Sequence, residues 1–180
     1  MADAPTDLSA LLGSTLLTPA TRRALEDRLS GTPAPTHFTA QEFALLLAVS
    51  RRLVPHDPAT LPLAARIDAR LAAGESDGWR YDALPPDAEA YRLLLASLPA
   101  DFQRLDEAGQ IAALTQAQRD HPKVFEELLA ELTELYYAYP VNQLNIGYVG
   151  FADAQGWTQT GLGSLDPHEQ EALTLAGKRP

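Results

Sequence analysis

Residues 38–55, "FTAQEFALLLAVSRRLVP", decide the fold class. Thr39 followed three residues later by Glu42 is the pattern of a capping box, in which each side chain satisfies a backbone donor of the first helical turn. Phe43, Leu46, Leu47, Ser50, Leu53 and Val54 then recur at helical spacing along one face, and Pro55 ends the run. The same grammar continues outward. After the turn "HDPATLP", Leu63, Ile67 and Leu71 set the stripe of a second helix that Gly74 closes. A third helix starts at Asp87 and carries Tyr91, Leu94, Leu95 and Leu98 up to Pro99.

Two further helical segments follow. "DFQRLDEAGQIAALTQAQRD" is expected to break near Gly109 and then to run on with Ile111 and Leu114 inward. "HPKVFEELLAELTELYYAYP" has Pro122 in its first turn and a wide apolar stripe of Phe125, Leu128, Leu129, Leu132, Leu135 and Tyr136. Upstream, Thr18 and Pro19 open a weaker helix that Gly31 stops, and Asp166-Pro167 open a short C-terminal one. No stretch alternates at period two for long enough to read as a strand. The sequence therefore predicts an all-α, irregular helical bundle of about five to seven helices with a long aromatic loop near the C-terminus. Residues 1–36 read as an N-terminal arm and 37–180 as one helical domain.

Composition narrows the function. The 180 residues carry a formal net charge of −10 and no cysteine. Such a surface repels phosphate backbones, and no Lys/Arg cluster exceeds Arg22-Arg23 and Arg51-Arg52, so nucleic-acid binding is not expected. Without cysteine there are no disulfides, thiol nucleophiles or thiolate-held clusters. The first residues show no basic region ahead of an apolar core, and nothing approaches the roughly 18 consecutive apolar residues of a membrane span. The expectation is an acidic, soluble, cytoplasmic protein.

Chemistry-bearing patterns are sparse. His37, His56, His121 and His168 lie beside prolines or in linkers and share no helix at metal-ligand spacing; they read as solvent-facing turn residues. Glu126, Glu127, Glu131 and Glu134 read as a solvated acidic face. His56-Asp57 reads as a turn whose Asp is an Asx-turn residue, with a general-base role as the sharper option. No nucleophile elbow and no phosphate-binding loop is present. Catalytic, metal and cofactor assignments are therefore none.

The anomaly is "ELYYAYPVNQLNIGYVGFADAQGW", residues 134–157, which holds four tyrosines, three glycines, a Phe and a Trp. Either its rings cap the bundle, or they form a binding patch, because Tyr and Trp are favoured interface anchors. Tyr137, Leu144, Tyr148, Phe151 and Trp157 are the partner-binding candidates. A pocket involving His56, Asp57, Trp79, Tyr81 and Tyr148 is the competing site.

"FTAQEFALLLAVSRRLVPHDP" followed by "ARIDARL", and "VFEELLAELTELYYAYP" followed by "NIGYVGF", resemble the gluconate 2-dehydrogenase subunit 3 family, the small gamma subunits of membrane-associated flavoprotein dehydrogenases. The likeness spans roughly Phe38 to Gly150 and rests on "LVP-x-D" and a late aromatic "GY-x-G" element. It implies a helical, cofactor-free accessory subunit that accompanies a large FAD-dependent GMC-type oxidoreductase, and often a multihaem cytochrome c. Family members commonly carry a twin-arginine export signal. This chain departs from that pattern at its N-terminus, which favours a cytoplasmic partner over periplasmic co-export. The resulting expectation is a non-catalytic subunit that stabilises or matures a sugar or alcohol dehydrogenase. The alternatives are a stand-alone small helical enzyme or ligand-binding protein, and a homodimer through the same aromatic patch.

Overall fold

In the computed structural model, residues 8–75, 84–148 and 153–154 are described. They form eight α-helices and one 3-10 turn, with no strand among the described residues. The fold is all-α, an irregular helical bundle. Two compact units divide the chain.

The larger unit runs from Arg28 to Gln143. Its helices are α3 (Ala40–Leu53), α4 (Leu63–Ala72), α5 (Asp87–Ala96), α6 (Glu107–Asp120) and α7 (Pro122–Ala138), with a 3-10 turn at Phe102–Arg104. Both α3 and α7 pack on α4 and on α5, and α6 joins through α7 and the 3-10 turn. Leu46, Leu63, Ile67, Phe102, Leu128 and Leu132 are at the centre of the core. These residues come from the stripes that the sequence lays down every three or four positions, and non-directional burial of apolar area joins them.

The Thr39–Glu42 capping box is present, with the Glu42 N–H donating to Thr39 Oγ1 at 3.3 Å and the Thr39 N–H to Glu42 Oε2 at 2.9 Å. The Thr39 backbone N–H first, and the Thr39 hydroxyl at 2.8 Å from Oε2, hold the Glu42 carboxyl below its ordinary value. Gly74 takes the left-handed conformation, φ +67°, just past α4, as a helix stop requires.

Three expectations change. The break before α6 falls at Leu105–Asp106, between the 3-10 turn and α6, not at Gly109. Asp106 caps the helix by accepting the Gly109 N–H at 2.8 Å. A Cβ on Gly109 would stand 3.0 Å from Asp106 Oδ1 and 3.2 Å from Leu105 Cβ, so a residue without one fits this close first turn. Second, Ile111 faces solvent at 49 % exposure. The buried face of α6 is Gln110, Leu114 and Ala117. Third, the long aromatic loop expected near the C-terminus begins with regular structure: Pro140 opens a further helix, α8 (Pro140–Asn145). Proline lacks an N–H that the first helical position does not use.

The smaller unit is drawn from both ends of the chain, its described residues being 8–27, 144–148 and 153–154. It contains α1 (Leu8–Gly13) and most of α2 (Pro19–Leu29), with a core of Leu11, Leu17 and Leu25. The helix expected after Asp166 lies outside the described residues.

Candidate functional site

Asp68 shows how the larger unit handles a buried charge. It sits on α4 between Ile67 and Leu71, fully buried, where the stripe would place an apolar residue. Its Oδ1 accepts the N–H groups of Thr36 (2.6 Å) and His37 (3.0 Å), and its Oδ2 accepts that of Phe38 (2.9 Å). Burial alone would raise its pKa, but the three backbone bonds outweigh it and hold the carboxyl below the ordinary range. The group anchors the segment entering α3.

A second polar centre joins α4, α5 and α7. Arg70 donates to Glu131 through Nε (2.6 Å) and Nη2 (2.7 Å), and through Nη1 to Asp87 Oδ2 (2.9 Å) and the Glu75 carbonyl (2.9 Å). Tyr91, its ring buried, donates its hydroxyl to Glu131 Oε2 at 2.6 Å. Burial, then the Glu131 charge, pushes the Tyr91 hydroxyl pKa up. Burial would lower the Arg70 pKa, but the bonds to Glu131 outweigh it and raise it, so Arg70 stays charged. This centre walls a cleft of about 240 Å³ that Glu127 and Glu134 also border. Glu131 thus leaves the solvated acidic face expected from sequence; its side chain is 13 % exposed. Its position on the α7 rim nearest α4 and α5 places it opposite Arg70, and a forked guanidinium matches a carboxylate in two bonds.

Of the predicted pocket residues, His56 and Asp57 lie in the larger unit and Tyr148 in the smaller. His56 Nδ1 lies 2.6 Å from the Val54 carbonyl, which makes Nδ1 the protonated nitrogen. Its Nε2 is buried with no partner, as is that of His37, so neither ring is the solvent-facing turn residue expected. Asp57 is an Asx-turn residue: Oδ1 accepts the Ala59 N–H (3.1 Å) and Oδ2 the Thr60 hydroxyl (2.9 Å). Those bonds, the Ala59 backbone first, hold its carboxyl below the ordinary value. Each member of the pair thus serves its own turn. Trp79 and Tyr81 lie outside the described residues. An open cleft of about 680 Å³ lies against Glu42, Leu45, Arg92, Leu95, Pro99 and Arg104.

The partner-binding candidates divide. Tyr137, near the end of α7, is 52 % exposed and packs edge-on against Tyr136, ring centroids 5.2 Å apart. Tyr148 is 45 % exposed. Leu144 is half-buried against the Leu11, Leu17 and Leu25 cluster and acts there as packing. Phe151 and Trp157 lie outside the described residues. Ile146, absent from the candidates, is the most exposed large apolar side chain among the described residues of the stretch, at 63 %. Its signal was available: a lone β-branched residue between Asn145 and Gly147, where no helical stripe needs it. Among the described residues no group of three or more His, Asp or Glu is arranged to hold a metal ion, and no helix is long and apolar enough to cross a membrane.

No family model, no curated protein and no solved structure matches the chain.

Proposed function

We propose that this chain is a non-catalytic accessory subunit, of the gluconate 2-dehydrogenase subunit 3 kind, that binds and stabilises a flavin-dependent GMC-type dehydrogenase. The observation that carries the reading is the exposure of Tyr137, Ile146 and Tyr148 within twelve residues of sequence. Exposed aromatic and branched apolar groups with little charge between them are the composition of interface cores, where Tyr is favoured and Lys and Glu are depleted. The segments quoted for the resemblance include this stretch. In this reading the flavin chemistry belongs to the large subunit, and this chain contributes surface.

Affinity capture of the tagged full-length chain from its native cells tests it. The expected result is a co-purifying polypeptide with the absorbance of bound flavin, reduced when Tyr137→Ala, Ile146→Ser and Tyr148→Ala are combined. Recovery of the chain strictly alone would overturn the proposal.

A second reading, a stand-alone ligand-binding helical protein, is favoured by the cleft of about 680 Å³. Arg104, Leu45, and Arg92 ion-paired with Glu42 at 3.5 Å line it, a mixture of charged and apolar wall that suits a polar metabolite. Thermal stabilisation of the isolated chain by a metabolite, abolished by Arg104→Ala, would favour this reading over the first.

A further inference from the structure

The open cleft of about 680 Å³ lies wholly within the larger unit, where the first turns of α3, the end of α5 and the 3-10 turn come together. Four residues of its lining are charged: Glu42, Arg92, Asp101 and Arg104. The first two are committed to the fold. Glu42 Oε2 accepts the N–H (2.9 Å) and the hydroxyl (2.8 Å) of Thr39, and Oε1 faces Arg92 Nε at 3.5 Å. Arg92 in turn donates to the carbonyls of His37 (3.1 Å) and Ala88 (3.4 Å) and lies over the Phe38 ring, 5.4 Å from its centroid.

Asp101 and Arg104 stand differently. Asp101 precedes the 3-10 turn and Arg104 ends it, with the Arg104 N–H donating to the Asp101 carbonyl at 2.7 Å. At three residues per turn this spacing brings both side chains to one side, and both border the cleft. Both are exposed, and among the described residues neither forms an ion pair. The Asp101 carboxylate also makes no capping bond to the turn it precedes. Leu45, Ala96 and Pro99 supply apolar wall beside them. An anion alone would meet Asp101 as a like charge, and a cation alone would meet Arg104 so. A molecule with a carboxylate, an ammonium and an apolar body gives each charge its counter-charge and covers the wall between them.

On the ligand-binding reading, on which this assignment rests, we infer that the cleft takes a small zwitterion of the apolar α-amino-acid class. Arg104 receives its carboxylate, Asp101 its ammonium, and the wall at Leu45 its side chain.

Addition of L-leucine to the full chain, followed by amide resonances, tests it. The Leu45, Ala96, Ala100 and Gln103 amides should shift together, with a Kd on the order of millimolar for so small a ligand at an open site. Isocaproate, which lacks the ammonium, and isoamylamine, which lacks the carboxylate, should each bind about fivefold more weakly. Asp101→Asn should erase the preference for leucine over isocaproate, and Arg104→Gln the preference over isoamylamine. Both positions are exposed, so both variants should melt as the wild type does. Leucine that leaves these amides unmoved near its solubility limit would overturn the assignment. Isocaproate that binds as tightly as leucine and still needs Arg104 would also overturn it, while leaving the ligand-binding reading intact. A cleft that responds to no metabolite would sink both.

Discussion

Tyr91 and Glu131, forty positions apart on α5 and α7, are joined by a hydrogen bond of 2.6 Å in which the hydroxyl donates, with Arg70 holding the same carboxylate from α4. Three helices of the core thus meet at one carboxylate. Removing the hydroxyl in Tyr91→Phe leaves the ring in place and should cost about 1–2 kcal/mol. Glu131→Gln leaves a half-buried guanidinium that has lost its two-bond carboxylate partner and keeps its ion pair to Asp87, and should cost about 2–3 kcal/mol. Because the two groups act on one oxygen, the double variant should fall short of the sum by at least about 0.5 kcal/mol. Urea unfolding followed by far-UV circular dichroism measures this; strict additivity would show that the three do not act as one network.

Asp68 has no acceptable neutral substitute that keeps three donors paired. Asp68→Ala strands the N–H groups of Thr36, His37 and Phe38 in a buried position and should cost about 3 kcal/mol or more. Asp68→Asn, which keeps one accepting oxygen, should cost about 2 kcal/mol. The wild-type carboxyl is depressed in the folded state. Its contribution is therefore complete above the unfolded value, near pH 4, and is lost as the pH falls through the lower folded value. The acid-unfolding midpoint of Asp68→Asn should accordingly show a weaker pH dependence than wild type below about pH 4.

On α6, the buried face was chosen by a polar residue. Gln110 is buried because its amide donates to the Phe102 carbonyl (3.1 Å) while its oxygen accepts from Arg52 Nε (3.0 Å), so both halves are satisfied. With Gln110, Leu114 and Ala117 inward, Ile111 is turned about 100° away. Ile111→Gln should change stability by less than about 0.5 kcal/mol. Leu114→Ala should cost about 2–4 kcal/mol. Comparable losses from the two would restore Ile111 to the core.

That helix also shows where sequence reading stops. Leu63, Ile67 and Leu71, or Phe125, Leu128 and Leu132, declare their faces because apolar groups have one stable place to go, and spacing alone reveals it. A charged or amide side chain has two, water or a partner, and the partner of Arg70, Glu131, Asp68 or Gln110 lies on another helix. Nothing local distinguishes Glu131, which is paired across the bundle, from Glu134, which is exposed. Asp57 was legible as an Asx-turn residue because its bonds reach only Ala59 and Thr60. Asp153 was not, because its donors are 132 and 135 positions away.

Asp153 carries its own acid signature. Its carboxyl is held down to about 2, by the Thr18 N–H first and then the Thr21 hydroxyl. A depressed carboxyl stabilises the folded state fully above its unfolded value, close to 3.9, and loses that contribution as the pH falls through the folded one. The start of α2 should therefore stay closed at pH 5 and open as the solution is taken from about pH 4 toward pH 2. The Thr18 amide resonance should follow a single titration in that window, absent in Asp153→Asn. The Thr36 and Phe38 amides, which report Asp68 instead, should keep their own titration in the same variant. A Thr18 resonance that is flat across the window in wild type would mean that the carboxylate does not sit on α2.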